Sequence, residues 1–288
     1  MNQFRTIVLL GVLTAALIAV GGWLAPGHIH FFVALALIVN FVSYFYSDRI
    51  VLAMHRAQEI SPSQAPSLHR IVEDVARAAR IPKPRVFVIP EAQPNAFATG
   101  RNPGKGVVAV TEGILSVLSE PELRGVIAHE IAHIKNRDIL VATIAAGIAS
   151  AVTYVAHAAQ FAAMFGGSSH DDGEEGGSLL GTLLLAIVAP IGATLVQLGI
   201  SRSREYLADE TAARLTGEPE GLARALEKLH LGAKRIPVRL EPATASLFIV
   251  NPLSGRGSLL NLFSTHPPME ERIARLRALD NSPRRRTF

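Results

Sequence analysis

Apolar residues gather in four long runs, and the chain between them alternates with helix and strand periods. Residues 6–24 carry no charge and are long enough to cross a bilayer at about 1.5 Å per residue. A second run, Phe31 to Tyr46, follows a short link from Ala25 to His30 and ends in aromatics suited to a membrane interface. Two spans in a tight hairpin are expected. A cleaved signal peptide is disfavoured, because no A-x-A site precedes Pro26 and the second run follows at once. The third run extends from Ile139 to Phe165 and the fourth from Ser178 to Ile200, with Pro190 as an expected kink. These two either span the membrane or pack as a non-spanning hairpin.

Between the second and third runs the pattern is that of a folded α+β domain. Leu68, Ile71, Val72, Val75 and Ala79 recur at helical spacing. Residues 84–90 and 106–111 read as short strands, and Pro94 to Gly100 as an edge strand or loop ahead of a turn at Arg101-Asn102-Pro103-Gly104. A small sheet with an exposed edge is therefore expected, and such an edge takes up an extended peptide as an added strand. A plain structural strand fits equally well. Leu123 to Ile134 is apolar and helix-compatible, with Ser119 and Glu122 spaced as a capping box. Beyond the fourth run, residues 201–217 continue as a helix. Glu218 to Leu231 and Pro268 to Leu279 read as amphipathic surface helices, the second with Arg272, Arg275 and Arg277 on a basic face turned to lipid headgroups or water.

Composition agrees with a mainly α membrane protein. Hydrophobic residues make up 49% of the chain and charged residues only 18%, and the mean hydropathy is +0.30. There is no cysteine, so disulfides, thiolate metal sites and a thiol nucleophile are excluded, and any metal must be held by His, Glu or Asp. The net charge of +4 does not call for a nucleic-acid partner, because its distribution follows membrane topology. The links 25–30 and 166–178 contain no Lys or Arg, whereas residues 48–138 carry twelve and 201–288 carry fifteen. By the positive-inside rule both polar parts lie in the cytoplasm. The expected organisation is a transmembrane hairpin (1–47), a first cytoplasmic part (48–138), an apolar helical hairpin (139–200) and a second cytoplasmic part (201–288).

The chemistry concentrates in His129-Glu130-Ile131-Ala132-His133. On a helix, residues four apart share a face, so both imidazoles can grip one zinc ion, with Glu130 in reach of its water. A solvated helix face bearing two histidines is the plain alternative. Catalytic zinc usually has three protein ligands, and Glu205, in Ser201-Arg202-Ser203-Arg204-Glu205, is placed to be the third. His133 shortly precedes the third run and Glu205 shortly follows the fourth, so a hairpin of those runs would bring them together. Asp209, one turn on, is placed to hold a ligand histidine through its other ring nitrogen. His266, Arg204 or Arg202 are the candidates to donate to the developing oxyanion, and Arg204 is also expected, with Asp209, to support the ligands from behind. His28 and His30, and the acidic loop around His170, read as solvated polar residues.

The motifs H-E-I-A-H (129–133), S-R-S-R-E-Y-L-A-D (201–209), P-N-A-F-A-T-G (94–100) and S-T-H-P (264–267), set among four apolar runs, resemble the HtpX-type proteases. These are integral-membrane zinc metallopeptidases of bacteria and archaea, related to the CAAX prenyl proteases. The resemblance implies a zincin-like cytoplasmic domain with a small sheet, one zinc per chain, and a multi-pass protein of the cell membrane with its active site facing the cytoplasm. It implies an endopeptidase acting on misfolded or damaged membrane proteins. His129, His133 and Glu205 would be the zinc ligands, Glu130 the general base and Asp209 a supporting residue. Asn95, Ala96 and Phe97 would belong to the substrate-binding edge, and His266 would stabilise the intermediate. The competing reading is a metal-binding membrane scaffold or transporter, which intramembrane charges would favour and the apolar runs lack.

Overall fold

The computed structural model describes residues 26–140, 142–144, 202–235, 244, 247–250 and 267–280, together with 7, 8, 10, 11, 14, 15, 18, 19 and 22 of the first apolar run. The third and fourth runs, the acidic loop between them, and His266 lie outside the described residues, apart from the first turn of the third run. Among the described residues, helices predominate beside a four-stranded mixed sheet, and one helix is long and apolar enough to cross a membrane, α1 (Ile29–Met54).

Helix α1 outlasts the apolar run that announces it. Ser47, Asp48 and Arg49 do not break it, and its last turns enter the folded domain, where Val51 and Leu52 are buried. Its apolar stretch stays exposed, with Phe31, Leu37, Ile38 and Phe41 more than half accessible. The Asn40 amide donates to the Thr14 hydroxyl at 2.6 Å, which ties α1 to the first apolar run.

The folded domain begins with β1 (Gln58–Glu59) and α2 (Pro66–Ala79), which starts on a proline in its first turn and stops at Arg80 in the left-handed region. Strands β2 (Arg85–Ile89), β3 (Ala96–Thr99) and β4 (Val107–Thr111) follow, and the sheet order is β1-β2-β4-β3. The β2–β4 pair is parallel, while β1–β2 and β3–β4 are antiparallel. Thr111 ends β4 and caps the short α3 (Glu112–Val117) by accepting the Ile114 N–H at 3.2 Å. Next come α4 (Glu120–Asn136), α5 (Arg202–Thr216), α6 (Pro219–Arg235) and α7 (Met269–Asp280).

Side chains alternate across the sheet, and both faces are covered. Val86, Ala96, Ala98, Val108 and Val110 pack against the helices. Phe87, Ile89, Phe97, Val107 and Ala109 pack against the end of α1 and against Leu247 and Phe248. This double burial suits the continuous apolar sequence of β4.

The expected exposed edge takes a different form. Strand β3 is the terminal strand, but all four of its residues are buried. Residues 247–250 cover it: the Ile249 N–H donates to the Ala96 carbonyl at 3.0 Å, and Phe97 meets Phe248 edge to face. The expected basic surface of α7 is also corrected. Arg272 has no exposed surface, and Arg275 and Arg277 are engaged by Glu271, Glu220 and Glu227 within the protein.

Candidate metal centre

Helix α4 carries the paired histidines because its start is well specified. Glu122 reaches back to accept the Ser119 N–H at 2.8 Å, Pro121 lies in the first turn, and Lys228 of α6 binds Glu122 at 2.7 Å. Gly125 lets α6 approach closely, since a Cβ there would meet the Leu222 backbone at 2.7 Å. The helix ends at Arg137 in the left-handed region, which turns the chain so that Asp138 comes back beneath His133. The other face of α4 packs against α5, and that contact brings Glu205 to the histidines.

His129, His133 and Glu205 offer ligand atoms that all lie within 4.8 Å of one another. The two Nε2 atoms are 3.2 Å apart, and the Glu205 carboxylate lies 3.7 Å from that of His129 and 3.4 Å from that of His133. Each ring presents Nε2 because a carboxylate occupies its Nδ1. Asp209 is 2.9 Å from Nδ1 of His129, and Asp138 is 3.4 Å from Nδ1 of His133. A ring held this way carries its proton on Nδ1 and leaves the Nε2 lone pair for a metal.

Electrostatics test whether these residues suit a cation. Burial opposes charge on both imidazoles, yet the carboxylates outweigh it: Asp209 and Glu205 raise His129, and Glu205 and Asp138 push His133 up to about 10. A field that strong stabilises positive charge at the point where the Nε2 atoms and Glu205 converge, and the nitrogen and oxygen donors are those that zinc prefers. Glu130 is likewise buried, and burial pushes its carboxyl above the ordinary value while the two histidines pull it back.

The sequence reading missed two members of the centre. Asp138, five residues past His133, looks from sequence like an ordinary polar residue at a helix end. Arg272 donates to both Asp209 oxygens at 2.8 Å and to the Ile249 carbonyl at 3.1 Å, and lies 3.7 Å from Glu205. Its Nη2, one of the two nitrogens on Asp209, also stands 3.4 and 3.5 Å from the two ring nitrogens of His129, near-equal distances that indicate packing against the ring rather than one directed bond. Burial disfavours the charge on Asp209, but Arg272 and His129 hold its carboxyl below the usual range. Arg204, expected either to donate to the oxyanion or to support a ligand from behind, sits 3.6 Å from Asp138, the acid beside His133. Asn95 is buried with its side chain committed to Val250, donating to the carbonyl at 2.7 Å and accepting from the N–H at 3.3 Å.

Comparison with known proteins places this geometry in context. Residues 62–280 match the model of peptidase family M48. The chain is 56% identical over 281 residues to the protease HtpX homolog of Syntrophobacter fumaroxidans, covering 96% of this chain and 99% of that protein. It is 53% identical over 265 residues to the protease HtpX homolog of Aquifex aeolicus, with 90% and 87% covered. Among solved structures it is similar to S. mikatae Ste24p, with a TM-score of 0.50 at 20% identity. That match covers 96% of this chain but spans only 65% of the length of Ste24p, so the likeness is one of fold.

Proposed function

This chain belongs to peptidase family M48, and from that premise we propose a membrane zinc endopeptidase in which His129, His133 and Glu205 hold the metal and Glu130 is the general base. That it is a metalloprotease follows from the family and from its HtpX homologues. The observation that carries the residue assignment is the convergence of two Nε2 atoms and one carboxylate, each ring steadied by its own acid.

A zinc ion held there would supply Lewis acidity, bringing the pKa of a water down toward neutrality and polarising a peptide carbonyl. Glu130 accepts the proton of the attacking water, and its burial raises the affinity of the carboxylate for that proton. Glu130 then returns the proton to the leaving amine. Asp209 and Asp138 keep the ligand rings in one tautomer and orientation, and Arg272 fixes Asp209 from behind. Donation to the oxyanion is assigned to His266, in the motif S-T-H-P at 264–267. Asn95, Ala96 and Phe97, expected at the substrate edge, are buried under residues 247–250, and the part assigned to them is to hold that covering segment in place.

The side and the substrates complete the proposal. The distribution of Lys and Arg supports a cytoplasmic protease domain on a multi-pass membrane protein, and a cytoplasm-facing centre beside the bilayer suits unfolded or damaged membrane proteins. Purified full-length protein is expected to cleave an unfolded membrane protein, to stop with a chelator and to resume on adding zinc. Cleavage that persists after complete zinc removal would overturn the proposal.

A further inference from the structure

Two cations stand beside the exposed aromatic end of α1, and a third, Lys105, lies exposed in the same β3–β4 connection as one of them. Tyr44, Phe45 and Tyr46 are all at least 36% exposed and lie just before the first charged residues of the helix. The Arg49 guanidinium lies 5.5 Å from the centre of the Tyr46 ring, and that of Arg101 lies 5.2 Å from the Phe45 ring. Arg101 opens the connection between β3 and β4, so this contact sets that connection at the depth of the aromatic belt. Aromatic side chains at such a position mark the headgroup layer.

The connection is rigid. Gly100 has φ of +124°, and a Cβ there would lie 2.3 Å from the Lys105 carbonyl oxygen, so the turn depends on glycine. The Lys105 N–H donates to the Asn102 carbonyl at 2.9 Å, and Asn102, Gly104 and Lys105 are exposed. Gly106 lies against Ile134 of α4, one residue beyond His133. The height of this turn above the bilayer therefore sets the height of the metal centre.

Nothing among the described residues neutralises the three charges. No carboxylate pairs with Arg49, Arg101 or Lys105; the neighbouring acids Asp48 and Glu59 act on Arg85 instead, whose N–H donates to the Gly106 carbonyl. Unneutralised cations next to lipid-facing aromatics match the surface of an anionic leaflet.

We propose that Arg49, Arg101 and Lys105 form a binding site for anionic phospholipid headgroups, which seats the protease domain on the membrane through the β3–β4 turn. The proposal rests on the reading of α1 as a membrane span. Contact with the lipid strengthens the hold of the turn on the bilayer and keeps the centre at a fixed distance from substrates that emerge from it.

Native mass spectrometry of the full-length protein, released from vesicles of phosphatidylcholine with phosphatidylglycerol, tests this directly. Wild type is expected to retain phosphatidylglycerol over phosphatidylcholine. Arg101→Gln and Lys105→Gln are each expected to reduce that preference about fivefold. Equal retention by wild type and the double variant overturns the site, and so does displacement of the lipid by inorganic phosphate, which would assign the cations to a free anion. The chain has no cysteine, so Asn102→Cys gives a single spin-label position, expected at headgroup depth; a label in bulk water would also overturn the proposal. Zinc-dependent cleavage of a soluble unfolded protein in detergent is expected to be unchanged in the double variant. Failure of wild type in that assay would concern the protease assignment and leave the lipid result standing.

Discussion

A guanidinium with no exposed surface needs acids on more than one side, and Arg272 has two-point contact with Asp209 and a second carboxylate at Glu205. Arg272→Met removes the cation and leaves those acids facing one another, and the loss is expected to be about 3–5 kcal/mol. Thermal unfolding should show it, with Arg272→Lys recovering only part, because a lysine cannot span both Asp209 oxygens. His55, just past α1, makes a different prediction. Burial lowers its pKa from 6.5 to about 4, and its ring meets Phe97, Phe248 and the Thr244 hydroxyl. The unfolded chain therefore takes up a proton at this position before the folded one does. Stability should fall as pH drops from 6.5 to about 4, by up to roughly 3 kcal/mol, with no further loss from this group below that. His55→Gln should flatten that part of a melting-temperature profile; an unchanged profile would remove His55 from the account. Residues of this kind are the least legible in sequence. Arg272, Arg275 and Arg277 look like one basic stripe, and only the partners on α5 and α6 separate the buried arginine from the two at the surface.

At the scale of elements, local signals were legible and contacts between elements were not. The i, i+4 histidines and the Ser119–Glu122 capping box are written within one helix, so α4 could be read directly. The strands at Arg85–Ile89 and Val107–Thr111 were equally plain, because each is a short apolar, valine-rich run, the first bounded by Pro84 and Pro90 and the second preceded by Gly106. Covering of β3 by Phe248 and Ile249 depends on a segment far along the chain, and nothing local announces it. The meeting of α4 with α6 is just as non-local, and it depends on Gly125 and on Gly221, where an added Cβ would lie 2.8 Å from the Pro121 carbonyl. Gly125→Val should force α6 away, cost about 1–3 kcal/mol and lower the midpoint of unfolding. A variant as stable as wild type would show that the two helices part without strain.

For the whole molecule, four apolar runs pointed to a membrane protein, and the uneven distribution of Lys and Arg carries the proposal that its polar parts face the cytoplasm. The described residues supply one such helix in full, Ile29–Met54, whose last turns are built into the folded domain. That continuity is what ties a soluble-looking centre to the bilayer. Orientation can be tested because the chain has no cysteine of its own: Glu73→Cys, on the exposed face of α2, should react with a membrane-impermeant maleimide only after cells are opened. Labelling of intact cells would reverse the topology. The centre itself is tested most directly by measuring zinc content and peptide-bond cleavage on one preparation of Glu130→Gln. One zinc per chain with a rate lowered by about 10²–10⁴ is the expected result. Cleavage at the wild-type rate by zinc-loaded Glu130→Gln would contradict the assignment of Glu130 as the base.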